Sequence, residues 1–208
     1  MAAPVLARLL DAQGIRVVAC SSMSAVSKID SPVASERSVA SRLAQAERAL
    51  QASSSWSPVT ILRPTMIYGG ATNRNVARIW SIGRQLGFVP CPSEPTGLRQ
   101  PVHLEDVAEA LVRCLGIGGA RSRVIEMGGG ERITLHGMIR RISDAAGVRC
   151  VLVPRWVVKS LASPLAARLL GAQVGALQRM HRDQIADNGE VERLLMIRPR
   201  AFAPESHR

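Results

Sequence analysis

Apolar residues fall along this chain in two alternating rhythms. Ile15–Cys20, Val59–Arg63 and Arg123–Met127 are compact apolar runs stopped by serine, proline or glycine, and each predicts a strand buried on both faces. Between them the spacing turns helical. Ser35–Gln51 carries Val39, Leu43, Ala46 and Leu50, and Val76–Leu86 sets Val76, Ile79, Trp80 and Gly83 on one face before Gly87 closes it. Val107–Leu115 repeats the pattern behind Glu105 and Asp106, acids that suit a helix N-terminus. Thr134 is the expected cap of a helix that turns Leu135, Met138, Ile139 and Ile142 inward and ends at Gly147. A further helix is expected over Pro4–Gln13, ending at Gly14.

Strands alternating with helices of this length imply right-handed crossovers and a mainly parallel sheet. The fold class expected is α/β: a partial doubly wound, Rossmann-like sheet with a small, mainly helical C-terminal lobe. Residues 1–150 are assigned to the sheet domain and 151–208 to the lobe, because Trp156–Met180 reads as helical, broken at Pro164 and Gly171. The apolar residues of Val157–Leu177 are read as a packing face, since Lys159 and Arg168 interrupt the stretch.

Charge narrows the function classes. The net charge is +11, but all except Lys28 and Lys159 of the 27 basic residues are arginines, scattered along the chain. With one tyrosine, two phenylalanines and three tryptophans, few rings are available to stack on bases, so a specific nucleic-acid partner is not expected. Cys20, Cys91, Cys114 and Cys150 form no C-x-x-C pair, which argues for reduced thiols and against a metal site. Arg8, Asp11 and Arg16 break the apolar start, and no uncharged run is long enough to span a bilayer, so a cytoplasmic location is expected.

Three segments then bring a family into view: the strand ending in Ser21-Ser22, the stretch Leu62-Arg63-Pro64-Thr65-Met66-Ile67-Tyr68-Gly69, and the stretch Leu98-Arg99-Gln100-Pro101-Val102-His103-Leu104-Glu105-Asp106-Val107-Ala108. In this order, with Glu47 in the intervening helix, they resemble the extended short-chain dehydrogenase/reductase family, in its NAD-dependent epimerase/dehydratase branch. The ending Arg198-Pro199-Arg200-Ala201-Phe202 is also similar to nucleotide-sugar epimerases. The resemblance implies NAD or NADP as cofactor and a nucleotide-sugar-like small molecule as substrate. Relative to the family, the chain is expected to start at the helix before the fifth strand. Three or four βα units, on the order of a hundred residues, would precede it in a complete fold. That half carries the glycine-rich loop which lets the backbone approach a pyrophosphate. Gly128-Gly129-Gly130 lacks the G-x-G-x-x-G spacing and is read as a flexible strand exit.

The family's proton transfer uses a tyrosine whose phenol is acidified by a lysine one helical turn on. Anchored on Glu47, those positions hold Val39 and Leu43. The only tyrosine, Tyr68, has Thr72 four residues later. No catalytic residue is assigned; Ser22 or Ser24 is the candidate hydroxyl, with strand capping as the alternative. By resemblance, Ser21, Ser22, Pro64, Thr65 and Met66 border the cofactor. Tyr68, Arg99 and His103 lie on the substrate side, where a planar guanidinium suits a diphosphate. The alternative function is a non-catalytic binding or scaffold module with the same fold. In either case the open sheet edge is expected to be covered in a homo- or hetero-oligomer.

Overall fold

The computed structural model describes residues 16–53, 58–70, 74–93, 97–118, 122–154 and 181–204. The expected helix at Pro4–Gln13 and the stretch Trp156–Met180 lie outside the described residues. In chain order the elements begin with β1 (Val17–Cys20), α1 (Ser24–Ser27), α2 (Ala34–Ser53), β2 (Val59–Pro64) and β3 (Ile67–Tyr68). They continue with α3 (Arg74–Leu86), β4 (Phe88–Pro92), β5 (Leu98–Arg99), β6 (Val102–His103) and α4 (Leu104–Cys114). The remainder are β7 (Arg123–Met127), β8 (Ile133–Thr134), α5 (Leu135–Ala145), β9 (Arg149–Val153) and α6 (Gly189–Leu195).

The three apolar runs form one parallel sheet in the order β1-β2-β7, with Val17 opposite Val59 and Pro64 opposite Met127. Central β2 shows why such strands lack alternation: both of its faces are covered. Leu62 packs with Val107, Ala110 and Cys114 of α4 and with Val191 and Leu195 of α6. On the opposite face Arg63 meets Glu47 of α2, which places α2 across the sheet from α4. Each of the fully buried Ile61, Leu62 and Ile125 contributes about 2 kcal/mol relative to exposure.

Helix α2 keeps Val39, Leu43 and Leu50 half-buried as expected, but the centre of its inward face is shifted from them. Ala40 and Glu47 are buried while Ala46 is exposed, because a partnered carboxylate, not another aliphatic, anchors that face. Helix α4 carries Glu105 and Asp106 in its first turn as expected, and the His103 side chain caps it by accepting from the Glu105 amide at 3.3 Å. Thr134 caps α5 as expected, accepting from the Gly137 amide at 3.0 Å, and Gly87 and Gly147 take left-handed φ of 74° and 68° at helix ends.

A second parallel pair, β4 with β9, was not foreseen, and residue 150 falls inside β9. Helices α3 and α5 pack against it, joined by a bond from Trp80 Nε1 to the Ile142 carbonyl at 3.1 Å. Short pairs complete the frame: β3 with β6 parallel, β5 with β8 antiparallel.

The glycine run corrects the flexible-exit reading. A Cβ on Gly129 would land on the Pro101 carbonyl, and one on Gly130 on the Pro199 carbonyl. These residues are glycine because two other backbone segments cross them at close range.

Candidate functional site

The C-terminal ends of β1 and β2 converge, and backbone bonds hold them in register. The Ser21 amide donates to the Leu62 carbonyl at 2.8 Å and the Met23 amide to the Pro64 carbonyl at 2.9 Å. Beneath this rim lies a polar trio. Ser21 Oγ donates to the Glu47 carboxylate, and Arg63 donates to both carboxylate oxygens, through Nε at 3.0 Å and through Nη2. Burial pushes the Glu47 carboxyl up, but the hydrogen bonds from Arg63 and Ser21 and the charge of Arg63 outweigh it and hold the group below its ordinary value. The Glu47 hydrogen bond raises Arg63 in turn. The site is therefore an ionised, fully bonded pair, and Ser21 is fixed by it.

Ser22 Oγ accepts from the Ser24 amide at 3.1 Å, ahead of short α1, which leaves its proton available for donation. The Thr65 amide donates to the Met127 carbonyl at 2.8 Å, and its hydroxyl donates to the Gln100 carbonyl. The Met66 carbonyl accepts from the Val102 amide at 3.0 Å. Pro64–Met66 thus knits β2 to β1, β7 and β6. The second and third motif segments meet again where Tyr68 lies opposite His103.

Tyr68 is buried, with its ring edge-on to His103 and Phe202 at centroid distances of 5.1 and 4.8 Å. Its hydroxyl donates to the Ala201 carbonyl at 3.1 Å and accepts from the Ala203 amide at 3.3 Å; burial pushes the phenol up. Arg99 is buried too, and its Nη1 reaches the carbonyls of Leu98 and Arg182, both at 2.8 Å. Burial lowers that guanidinium, and nearby Asp183 opposes the shift. The structure therefore brings Ser21, Ser22, Pro64, Thr65 and Met66 to one rim. It sets Tyr68 against the C-terminal tail with His103 on its ring, and Arg99 beside residues 182–184.

Several groups that organise this region escaped sequence reasoning. Gln100 bridges the Gly129 carbonyl at 2.9 Å and the Ala186 amide at 3.0 Å. Asp106 accepts from the Arg200 amide at 2.9 Å and from its Nε at 2.8 Å. The polar residues of the motifs, Arg63, Gln100 and Asp106, were the available signal.

The glycine turn after β7 gives a test of fit for a dinucleotide. A pyrophosphate cradle needs backbone amides directed at the ligand. Here Gly128 donates to Asn188 Oδ1 at 2.7 Å, Gly129 to the Gln100 carbonyl at 3.2 Å and Gly130 to the Arg200 carbonyl at 2.9 Å. All three donors are engaged, so this turn does not fit a pyrophosphate. Among the described residues no group of His, Cys, Asp or Glu could hold a metal ion, and no helix is long and apolar enough to cross a membrane.

No family model matches the chain. Solved structures do. MoeE5 in complex with UDP-glucuronic acid and NAD superposes with a TM-score of 0.69 at 20% identity, over 97% of this chain and 65% of that one. The UDP-glucuronic acid 4-epimerase from Bacillus cereus, in complex with NAD, gives 0.68 at 14% identity, over 97% and 62%. This chain has the fold of the NAD-dependent epimerases and dehydratases. TunA, an NAD-dependent NDP-hexosamine 5,6-dehydratase of tunicamycin biosynthesis, shares that fold with a TM-score of 0.66 at 16% identity, over 96% and 64%. A curated relative is NADH dehydrogenase [ubiquinone] 1 alpha subcomplex subunit 9, mitochondrial, from Arabidopsis thaliana. It is 31% identical over 109 residues, 50% of this chain and 27% of the relative. The chain thus spans less than two thirds of these proteins. The rim built from Ser21 to Met66 lies at the carboxyl ends of the parallel strands β1 and β2.

Proposed function

We propose that this chain is an NAD(P)-linked epimerase/dehydratase-type module directed at nucleotide sugars, working in the cytoplasm and lacking the tyrosine–lysine pair. The observation that carries the reading is the bonding together of three motif segments: Ser21 and Met23 to Leu62 and Pro64, and Thr65 and Met66 to Gln100 and Val102. When bound, the nicotinamide would supply hydride chemistry. The chain's own residues would contribute the rim: Ser21, Ser22 and Pro64–Met66 on the cofactor side, with Tyr68, Arg99 and His103 towards the sugar nucleotide. The β4–β9 pair with α3 and α5 is the candidate substrate-side lobe. With Val39 and Leu43 on the helix face of Glu47, no phenol is placed to move a proton. The module therefore binds without turning over. Titration calorimetry of the purified chain with UDP-glucose and UDP-glucuronic acid, alongside NADH absorbance, should register binding with no NADH oxidation. Steady NADH consumption, or silence towards both nucleotide sugars, would refute the proposal.

A second reading is a non-catalytic subunit of a larger assembly. It is favoured by the curated relative, a subunit by its name, and by the aliphatic residues at the two catalytic positions. Stoichiometric co-purification with partner subunits, unaffected by nucleotide sugar, would favour it over the first.

A further inference from the structure

A second polar place lies at the amino ends of β1, β2 and β7, the opposite end of the strands from the Ser21–Met66 rim. The register sets Val18 opposite Thr60 and Thr60 opposite Arg123, one row across the three strands. Alternation puts that row on the face where Leu62 and Ile125 pack against α4. There it opens into a cleft of about 270 Å³, lined also by Arg16, Cys114 and Ile117 and by no carboxylate. Thr60 is only 9% exposed, yet its hydroxyl has no hydrogen-bond partner among the described residues. Arg123 makes no ion pair or side-chain hydrogen bond among them either, and Arg16 uses only Nη1, on the Ile117 carbonyl. A bond from the Val59 amide to Ser122 Oγ at 3.0 Å holds the starts of β2 and β7 together, so the row is fixed.

A buried hydroxyl without a partner is rare in folded proteins, and two cations that line one cleft without an acid repel each other. An oxyanion answers both, because it accepts from the hydroxyl and from the two guanidinium forks. We propose that the Arg16–Thr60–Arg123 cleft binds a phosphate group, free or on a small ester. Thr60 Oγ1 donates to one phosphate oxygen, and the two arginines hold the others. A water would satisfy Thr60 but leave the positive charges uncompensated. A carboxylate has too few oxygens to serve all three residues, whereas a phosphate has one for each. The cleft lies near the C-terminal end of α4, an end that ordinarily disfavours anions. Here the carbonyls of Val112, Arg113 and Cys114 are taken by the amides of Leu115, Gly116 and Ile117, and Arg16 takes the carbonyl of Ile117. None of these residues belongs to the rim, so the site stands apart from the nucleotide-sugar reading.

The test is calorimetric titration of the full chain with inorganic phosphate and with glycerol 3-phosphate, at constant ionic strength in sodium chloride. Saturable binding is expected, and the tighter of the two ligands tells a free phosphate from an ester. Thr60→Val, which keeps the side-chain shape, should weaken binding about tenfold, as the loss of one hydrogen bond to a charged group does. Arg123→Gln should weaken it by about tenfold or more, whereas Arg149→Gln, at an exposed position on β9, should leave it unchanged. Without phosphate, Thr60→Val should keep or raise the thermal midpoint, because it removes an unpaired buried hydroxyl. Added phosphate should raise the midpoint of the wild type and not that of Arg123→Gln. No saturable heat, competition by acetate as strong as that by phosphate, or equal losses in Arg149→Gln and Arg123→Gln would overturn the proposal. So would a lowered midpoint of Thr60→Val in the absence of phosphate.

Discussion

On the β7 side of the parallel sheet, residues 186–202 return along the strand and engage the Gly128 and Gly130 amides of the glycine turn, while the Gln100 carbonyl takes that of Gly129. On the β1 side, a four-residue strand pairs among the described residues with β2 alone, beneath an apolar helix flank. Val191, Leu195 and Ile197 are buried against the β7 side, whereas β1 contributes no residue that is fully buried. Among the described residues, one edge is covered by the chain itself and the other pairs with no further strand. The two should therefore respond oppositely to mutation: severely where the tail crosses, weakly where the edge is open.

The sharpest way to break this comparison is Gly129→Ala. The added methyl meets backbone rather than a side chain that could swing away, so the crossing with Pro101 must open. We expect a loss of about 4 kcal/mol, at the upper end for single substitutions, read as a fall in the urea midpoint. An unchanged midpoint would mean that Pro101 does not cross the glycine turn this closely.

Next in size is Glu47→Gln, which leaves Arg63 without its carboxylate at a site where the two side chains are only 6% and 19% exposed. Removing one partner of a nearly buried pair should cost about 3 kcal/mol. The sign with pH follows from the lowered carboxyl. The stabilisation is fully present above the ordinary value of 4.5 and is lost as the pH falls through the lower native value. Acid denaturation of the wild type should therefore show a destabilising slope below about pH 4.5 that the Gln variant lacks.

The trio also marks how far the sequence could be read. The strands of the main sheet were legible because doubly covered strands are continuous apolar runs, and the helices because their periods were intact. β4 was not, since Pro90 and Pro92 within Phe88–Pro92 argue against a strand; it tolerates them because among the described residues it pairs on one side only, with β9. Pairs of two residues, such as β3 with β6, are too short to show any period. The rim was legible through its motifs. The tail was not, because Tyr68 and Ala201 are 133 residues apart and nothing local encodes that bond. Composition equally could not tell a glycine run that is free from one that is crossed.

Arg200→Ala should act more mildly. Its guanidinium is 47% exposed and pairs with Asp106 and with the exposed Glu105, so most of the Coulomb attraction is screened. The bond from the Arg200 amide to Asp106 survives the substitution. We expect a loss of about 1 kcal/mol, with faster hydrogen exchange confined to residues 197–204. Exchange that spread to β1 would show the two sides to be one cooperative unit.

Val112→Asp should be the smallest change of all in the chain on its own. The side chain is 67% exposed, and a charge there meets water rather than core. Stability should shift by no more than about 0.5 kcal/mol. Hydrogen exchange at Val17–Cys20 should be fast in both proteins, and slow in β2, whose neighbours lie on both sides. If the aspartate instead destabilised the chain by as much as Glu47→Gln, the α4 flank would have to be buried already within the monomer. The β1 side would then be as closed as the β7 side, and the contrast between the two edges would vanish.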